Sequence, residues 1–547
     1  MRKYIHTIQS QVLEKVIENY IDYVSNPFNE WRQEGVPTMR GIIFNNGEGI
    51  KAMPLDEGID NLPKPRYNTA KAHVIAVADI LYRCHLNTNE DENDLFTVSS
   101  RLLKVASNNY KYILDTLFNM RIINMNKSTS EGKNQRTIYS IINEQVFHPQ
   151  LVESLNKDTR KIVQTLDDYY QEVRQKRYEE LTKILPQQFV DRYNRCLSKL
   201  EIKGKEATDY INKKYSDEQD VSKKKTRLRT IQKINDRDFI KEICSIDNNG
   251  RIYHIGTELQ RDIKNFTNIE FTLDCKNSHP FLFSYVLLCY IIKGRLDILE
   301  QFDDKDYHYI LFNLISYLKD NNGIYDHYMF SDFMCKKLEN SKLAKAKRAK
   351  ITNYLEQLSV INEDVWRYIY DVSEGRLWDI FADAFNEDRT SVKQKMFASV
   401  MYSYYSPRKR TKKEENSKWI EMFRKLYPTV FKLIDEIKKS FHIQCKEKGA
   451  IKELKTPHVV YQGKFRLEYN DKDAIMLSHI LMRLESQIFT EILRRLFNKR
   501  IVCFGIHDAV AVLHSKLPVD GVESIMMDVY ADYGLIPTLS VDRYTVE

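Results

Sequence analysis

The sequence predicts an α+β fold that is predominantly helical, and three observations support this prediction. Gly (17) and Pro (13) are sparse among 547 residues. Apolar residues recur at helical spacing along most of the chain. The clearest strand patterns are few and lie late in the sequence. The length is sufficient for two to four domains.

Composition excludes several classes of protein. Hydrophobic residues make up 42% of the chain and charged residues 29%, which is typical of a soluble globular protein. No apolar run is long enough to span a membrane, and the N-terminus lacks the apolar core of a signal peptide. The 8 cysteines are scattered without a C-x-x-C pair, which suits a reducing cytosol and provides no zinc site. We therefore expect a cytoplasmic protein, in a bacterial or phage-infected cell, with no membrane partner.

Residues 1–69 are predicted to form an N-terminal helical segment. Residues 70–147 follow it and show a distinct order of predicted helices and a strand. Three helical patterns, "TAKAHVIAVADILYRCH", "VSSRLLKVA" and "SNNYKYILDTLFNMR", precede a polar loop and the strand-like "RTIYSIIN". This order resembles a winged helix and implies a DNA-binding module. The basic residues expected to face the phosphate backbone are Lys111, Lys127, Lys133 and Arg136. The alternative is a small helical module that binds another protein.

Residues 148–240 show the pattern of long polar helices. The region ends in the basic run "SKKKTRLRTIQK", residues 222–233. Such a run is either a solvated helix face or a contact with a nucleic-acid backbone. The net charge of the whole chain, +8, permits a polyanionic partner without requiring one.

Two aspartates lie at the ends of predicted core strands. Asp274 follows the alternating residues of "NIEFTL", and Asp508 lies between two apolar runs in "RIVCFGIHDAVAVLH", residues 500–514. If these strands are neighbours in an antiparallel sheet, both carboxylates lie at the same rim and need cations between them. Hard oxygen ligands suit Mg²⁺, and two Mg²⁺ ions support nucleotidyl transfer. The alternative to a metal site is that each aspartate, taken alone, has an ordinary structural role.

A basic helical pattern lies between the two aspartates, in "NEDRTSVKQKMFASVMYSYY". Read as one helix, Arg389, Lys393, Phe397 and Met401 share a face at a spacing of four, with Tyr402 beside them. Two cations one turn apart suit a triphosphate, and an aromatic ring one turn further on suits a base. A basic amphipathic surface helix explains this segment equally well.

These motifs together resemble the superfamily that joins family A DNA polymerases with the bacteriophage-type single-subunit RNA polymerases. The strand ending in Asp, the Arg-x-x-x-Lys-x-x-x-Phe helix and the His-Asp hairpin resemble motifs A, B and C of right-hand polymerases. The segment "DNNGRIYHI", residues 247–255, resembles the D-x-x-G-R motif that precedes motif A. The segment "RLESQIFTEILRRL", residues 483–496, resembles the helix that touches primer and template. The resemblance implies a right-hand fold with palm and fingers in residues 241–547 and a thumb-like region in 148–240.

The resemblance also implies roles for individual residues. The catalytic residues would be Asp274, Asp508, His507 and Lys393. The metal ligands, for two Mg²⁺ ions, would be Asp274, Asp508 and the backbone carbonyl of Cys275. The nucleotide-binding residues would be Arg389, Lys393, Phe397, Tyr402 and His279. The nucleic-acid-binding residues would be Gly250, Arg251, Glu485 and Gln487. The expected partners are a DNA template, nucleoside triphosphates and accessory replication or transcription proteins.

The sequence departs from the family where the sugar is selected. The Tyr-Gly that usually follows the motif B helix is replaced by Tyr402-Ser403, one residue late. Five residues after the first Asp, the DNA polymerases have Glu and the RNA polymerases have Gly, whereas this chain has His279. A bulky residue there favours deoxynucleotides, but the D-x-x-G-R-x-Tyr segment favours the RNA branch.

We therefore expect a DNA-directed RNA polymerase. A family A-like DNA polymerase or primase of a phage or plasmid is the first alternative. A DNA-binding replication initiator with an inactive polymerase domain is the second. An unrelated helical scaffold is the third, and it would leave Asp274 and Asp508 far apart.

Overall fold

The computed structural model describes most of the chain. The described ranges are 4–25, 66–86, 96–127, 137–142, 146–216, 221–236, 239–294, 296, 304–341, 344–359, 361–401, 414–448, 451–455, 464–468 and 474–544. Within them the chain is predominantly helical, as predicted. No described helix has both the length and the apolar character that crossing a membrane requires.

The helices and strands of the described residues have the following bounds. The helices are α1 Ser10–Ser25, α2 Tyr67–Leu86, α3 Ser100–Ala106, α4 Tyr110–Asn119, α5 Lys157–Ile184, α6 Gln187–Leu197, α7 Gly204–Lys214, α8 Val221–Asn235, α9 Arg261–Lys264, α10 Ser278–Lys293, α11 Lys305–Asp320, α12 His327–Glu339, α13 Lys345–Leu358, α14 Glu363–Ser373, α15 Leu377–Phe385, α16 Arg389–Met396, α17 Glu414–Leu426, α18 Pro428–Lys448, α19 Ala474–Asn498 and α20 Val519–Asp532. The strands are β1 Tyr4–Ile8, β2 Phe96–Thr97, β3 Ile123–Lys127, β4 Thr137–Ile141, β5 Phe147–Leu151, β6 Ser245–Ile246, β7 Ile252–Tyr253, β8 Phe271–Cys275, β9 Ile451–Lys455, β10 Lys464–Glu468, β11 Val502–Ile506, β12 Ala509–His514 and β13 Leu539–Arg543.

The chain divides into two compact units. The first consists of Met1–Tyr178 and Thr208–Ile240, and the second of Glu179–Ala207 and Lys241–Glu547. One boundary between the two units lies at residues 240 and 241. The predicted thumb-like region does not form one body, because its middle part, which contains α6, belongs to the second unit.

In the first unit, helices α2, α3 and α4 pack with a small antiparallel sheet of order β2-β4-β3. The strands β3 and β4 pair with Met125 opposite Tyr139. In the helix α2, 13 of the 20 residues are buried, and most of these are apolar. Its one buried carboxylate, Asp79, accepts a hydrogen bond from the backbone N–H of His6 (2.9 Å) and pairs with Arg83 (3.0 Å), which compensates for the burial of its charge.

The second unit contains a four-stranded antiparallel sheet of order β11-β12-β8-β13. The strands β11 and β12 read as nearly continuous apolar runs, and nearly all of their residues are buried. The helices α10 and α19 contact each other, and α19 contacts β11. The edge strand β13 was not predicted. Its polar, largely exposed sequence "LSVDR" gives a weak strand pattern.

The basic helix between the two aspartates is not continuous, which corrects the prediction of a single helix face. The α-helix α16 ends at Met396, and Phe397–Met401 form a π-helical turn. Since a π-turn inserts an extra residue per turn, a spacing of four no longer keeps Met401 on the face of Arg389 and Lys393. Such π-turns occur frequently at functional sites.

Candidate active site

The sheet of the second unit brings Asp274 and Asp508 together. The strands β8 and β12 are antiparallel neighbours with Ala509 opposite Asp274. The backbone N–H of Cys275 donates to the carbonyl oxygen of Asp508 at 3.3 Å. The two aspartates therefore lie beside each other at one rim of the sheet. An unrelated helical scaffold would have left them apart.

Asp508 is positioned by a two-residue turn between β11 and β12. Ile506 pairs with Ala509 across the turn, and His507 adopts φ 54°. Positive φ is uncommon for a residue with a side chain, and holding it costs on the order of 1 kcal/mol. The turn presents the His507 side chain to solvent beside Asp508, which is half-buried.

Burial and proximity make the two carboxylates reluctant to ionise. Burial, followed by the charge of Asp508, raises the pKa of Asp274 to about 7, and Lys393 opposes this shift. Burial, followed by the charge of Glu485, raises the pKa of Asp508, and Lys393 again opposes. Two carboxylates that share a site in this way favour a cation between them.

The donor atoms at this rim fit a hard divalent cation. Oδ1 of Asp274 is buried and has no hydrogen-bond partner within the described residues. In the described ranges, no set of three or more His, Cys, Asp and Glu side chains is arranged to hold a metal. Mg²⁺ is usually held by one or two protein carboxylates together with water and substrate phosphates, so a pair of aspartates is consistent with such a site.

The two cations of α16 differ in their surroundings. Lys393 is exposed and lowers the pKa of both Asp274 and Asp508, so it lies within electrostatic reach of the pair. Arg389 instead forms an ion pair with Asp379 on α15, with 2.9 Å between Nε and Oδ1. The structure thus brings Lys393, but not Arg389, to the two carboxylates.

A buried ionic network lies next to Asp508. Glu485 on α19 accepts from Arg251 Nε (3.1 Å) and from Ser278 Oγ (2.8 Å) and pairs with His279 (3.2 Å). Arg251 Nη2 also lies 3.1 Å from His279 Nε2. Burial acts to raise the pKa of Glu485, but His279 and Arg251 outweigh it and lower that pKa to about 2. Glu485 is therefore ionised, and Arg251, His279 and Ser278 compensate for the burial of its charge.

This network changes the interpretation of two predicted site residues. Glu485 is only 2% exposed and is bound to Arg251 rather than presented to solvent. His279 is buried in the same network rather than projecting as an isolated gate. Gln487 is partly buried on another side of α19, since residues two apart on a helix do not share a face. Gly250, before Arg251, has φ 86°, which glycine adopts without strain.

A second network, which the sequence did not reveal, holds the strand before the turn. The N–H of Gly256 donates to Nδ1 of His254 at 3.0 Å, so the proton of this neutral imidazole is on Nε2. That Nε2–H donates to the carbonyl oxygen of Gly505 at 2.9 Å, and Nε2 also lies 2.9 Å from Oη of Tyr193. The N–H of Gly505 in turn donates to Oη of Tyr193 at 3.0 Å. Burial lowers the pKa of His254 to about 3. His254 and Tyr193 thus bind the backbone carbonyl and the backbone N–H of Gly505, which lies two residues before His507.

A pocket opens between this network and the turn. It lies wholly in the second unit, and its lining combines apolar side chains with hydroxyl groups, Arg251 and His507. The lining residues are Tyr193, Gly250, Arg251, Ile252, Ser486, Phe489, Thr490, Leu493, Gly505 and His507. The pocket places Arg251 and His507 on one concave surface.

Asn277 is a further residue that the sequence did not single out. It caps α10 in the left-handed conformation, with φ 58°, and is 5% exposed. Neither its Oδ1 nor its Nδ2 has a hydrogen-bond partner within the described residues. Leaving a buried amide unpaired costs about 1–3 kcal/mol. Asn277 therefore carries unused hydrogen-bonding capacity three residues after Asp274.

Several predicted site residues lie partly or wholly outside the described residues. Lys133, Arg136 and Tyr402 are in this group, as are the side chains of Lys127 and Phe397. In the first unit, Lys111 is exposed on α4. The proposed roles of these residues remain predictions.

Comparisons with known proteins give a weak structural likeness. No family model and no curated protein matches the sequence. Among solved structures, the chain is similar to the POL domain of Pol1 from M. smegmatis in complex with DNA primer-template and dNTP. The TM-score is 0.25 and the identity 10%, over 61% of this chain and 54% of that chain. The chain thus matches about half the length of that domain.

Proposed function

We propose that the second unit catalyses nucleotidyl transfer on a nucleic-acid template. The observation that carries this proposal is the antiparallel pairing of β8 with β12, which brings Asp274 beside Asp508 at one rim of the sheet. The raised pKa of Asp274, caused by burial and by the charge of Asp508, and its unpartnered buried oxygen support a site that takes cations.

In the proposed reaction, the 3′-hydroxyl oxygen of a growing strand bonds to the α-phosphorus of an incoming nucleoside triphosphate. The bond from that phosphorus to the oxygen bridging to the β-phosphate breaks, pyrophosphate leaves, and the hydroxyl proton passes to water. Two Mg²⁺ ions, when bound, would activate the hydroxyl and stabilise the leaving pyrophosphate. Asp274, Asp508 and the carbonyl of Cys275 would hold them.

Lys393 would neutralise the triphosphate, because its charge already acts on both aspartates. Arg389 would assist only after it exchanges Asp379 for a phosphate oxygen, since the two are paired at 2.9 Å. Phe397 and Tyr402 keep their predicted roles beside the base and the sugar.

The strand that receives the nucleotide would lie along the pocket. Arg251 borders that pocket and is oriented by Glu485, so it presents its guanidinium at a fixed angle. His507 also lines the pocket and would contact the terminal nucleotide. Gly250 would let the template backbone approach closely, because it has no side chain.

Ribonucleotides are the proposed substrates, and the motif around Gly250 and Arg251 is the reason for this preference. DNA synthesis is a second candidate that one observation favours. His279 is held in place by Glu485 and Arg251. The resemblance implies that a small residue at this position admits a 2′-hydroxyl, so the large side chain of His279 favours deoxynucleotides.

The first unit would bind DNA through a winged helix. Its elements run α2-β2-α3-α4-β3-β4, with the sheet order β2-β4-β3. Lys111 is exposed on α4, the helix that would enter the major groove, and Lys127, Lys133 and Arg136 would lie at the hairpin. Such a module would suit the recognition of a promoter or an origin.

A primer-extension assay tests the proposal. The full chain is incubated with Mg²⁺, a primed DNA template and either NTPs or dNTPs, and each mixture is repeated without primer. We expect products that lengthen one nucleotide at a time in the order of the template. DNA binding without incorporation under every condition would leave the inactive replication initiator as the better account.

A further inference from the structure

The helix α8 carries an unusual concentration of positive charge. Its sequence, "VSKKKTRLRTIQKIN", contains basic side chains and no acidic one. Thr230, Ile231 and Ile234 are buried and fix the orientation of the helix in the first unit. Lys225 is exposed on the opposite side, and Lys223 is exposed near the start of the helix. Like charges this close repel one another, so this surface favours a polyanionic partner.

Tyrosines at the end of α7 are part of the same surface. Nζ of Lys214 lies 5.4 Å from the ring centre of Tyr210 and 5.5 Å from that of Tyr215. Cζ of Arg227, on α8, lies 4.9 Å from the Tyr215 ring centre. These contacts place the end of α7 against the first half of α8. The tyrosines therefore stand among cations, and Tyr210 is exposed.

We call this feature the α7–α8 basic surface. Its members are Tyr210, Lys213, Lys214, Tyr215, Lys223, Lys224, Lys225 and Arg227. All belong to the first unit, whereas the candidate active site lies in the second. Lys213 and Lys214 are exposed and follow Tyr210 by three and four residues, so the three share one face of α7.

The combination of side chains favours one class of polyanion. Lysine and arginine bind phosphate groups of any nucleic acid, but an exposed aromatic ring can stack only on a base that is not already stacked in a duplex. An acidic membrane is a poorer partner, because α8 lacks an apolar face directed to solvent and Val221 is its only exposed large apolar residue.

We propose that the α7–α8 basic surface binds single-stranded nucleic acid, with the cations contacting phosphates and Tyr210 stacking on a base. This inference goes beyond the proposed function and does not depend on it. The surface would hold a displaced or unpaired strand whether or not the second unit is catalytic.

Fluorescence anisotropy of the full chain in EDTA, without nucleotides, tests this inference. The probes are a labelled oligo(dT) and a duplex of equal length, titrated at several salt concentrations. The first variant is Lys213→Gln/Lys224→Gln/Lys225→Gln, and the second is Tyr210→Ala. The matched control, Lys157→Gln/Arg160→Gln/Lys161→Gln, removes three exposed cations from α5. Circular dichroism melting checks that each variant is folded.

The triple variant should bind oligo(dT) at least about tenfold more weakly, with a salt slope reduced by about 0.7 for each phosphate that is no longer neutralised. Tyr210→Ala should weaken oligo(dT) binding roughly 5- to 10-fold and leave duplex binding unchanged. An equally large weakening in the triple variant and in the α5 control would overturn the proposal, because charge alone would then explain the binding. An equal effect of Tyr210→Ala on both probes, or on neither, would also overturn it.

Discussion

The side chains of Asp274 and Asp508 lower the stability of the fold that holds them together. A carboxylate whose pKa is raised on folding keeps its proton in the folded chain at a pH where the unfolded chain has released it. For Asp274 this window runs from its ordinary value of 3.8 to about 7. Stability falls as pH rises through that window, because the folded chain must finally accept a buried charge. The proposed function would account for a local arrangement that stability alone would not favour.

We predict that Asp274→Asn stabilises the metal-free protein at neutral and higher pH. The amide has nearly the shape of the carboxyl group but cannot ionise, so it removes the repulsion from Asp508. In EDTA at pH 8, the Tm of the variant should exceed that of the unsubstituted protein by about 1–2 °C for each kcal/mol gained. The difference should shrink as pH falls from 7 towards 4. A Tm difference that is negative at pH 8, or constant with pH, would contradict the assigned cause.

We predict different effects for the two cations of α16. Lys393→Ala should lower kcat by roughly 10²- to 10³-fold, because Lys393 is the cation that already acts on both aspartates. Arg389→Ala should chiefly raise the KM for the nucleotide, since Arg389 is paired with Asp379 and must be released before it can contribute. Steady-state kinetics on one primed template provides both values. If Lys393→Ala changes only the affinity for template, that residue contacts the template strand instead.

At the scale of elements, local sequence patterns predicted the hairpin of β11 and β12 but not the side chains that bind its backbone. The apolar runs on both sides of His507 and Asp508 predicted β11, the turn and β12. Tyr193 and His254, which hold Gly505, could not be found in the same way. They lie 312 and 251 residues away in the sequence, and neither has a local pattern that distinguishes it from a core residue.

The same limit applies to the helix that carries Lys393. Residue spacing predicts which face of a regular α-helix a side chain occupies, but it does not predict a π-turn such as Phe397–Met401. The edge strand β13 was missed because its sequence is polar, and pairing with β8 stabilises it as a strand. In these elements, tertiary contacts decided the local conformation.

We predict that Tyr193→Phe slows catalysis without changing nucleotide binding. Loss of the hydroxyl leaves the partly buried N–H of Gly505 without the acceptor that holds it at 3.0 Å, which costs up to about 1–3 kcal/mol of stability. The turn that presents His507 and Asp508 should then be less well fixed. We expect kcat to fall roughly 3- to 10-fold with KM for the nucleotide unchanged.

Tyr328→Phe is the matched control for this substitution, because it removes the same hydroxyl from a side chain that is 86% exposed. Both variants are compared by thermal melting and by steady-state kinetics. Equal behaviour of the two variants would show that the contacts of Tyr193 with Gly505 have no part in positioning the turn.

At the scale of the whole molecule, the order of motifs along the chain was more informative than any single motif. That order predicted which two aspartates the sheet would bring together. It did not predict that Glu485 would be buried against Arg251, Ser278 and His279, because burial depends on how α19 packs. Nor did it predict that residues 148–240 would be divided between two units.

The most direct test of the central claim is a single-turnover measurement of nucleotide incorporation on a preformed protein–primer–template complex with Mg²⁺. Asp542 provides a matched control, because it lies on β13 opposite Thr272 and acts on the pKa of Asp274 without belonging to the proposed pair. We predict that Asp274→Asn and Asp508→Asn each reduce the rate by at least about 10³-fold while DNA affinity is kept, and that Asp542→Asn reduces it by less than about tenfold. Incorporation that survives both of the first two substitutions would contradict the claim that these carboxylates form the catalytic centre.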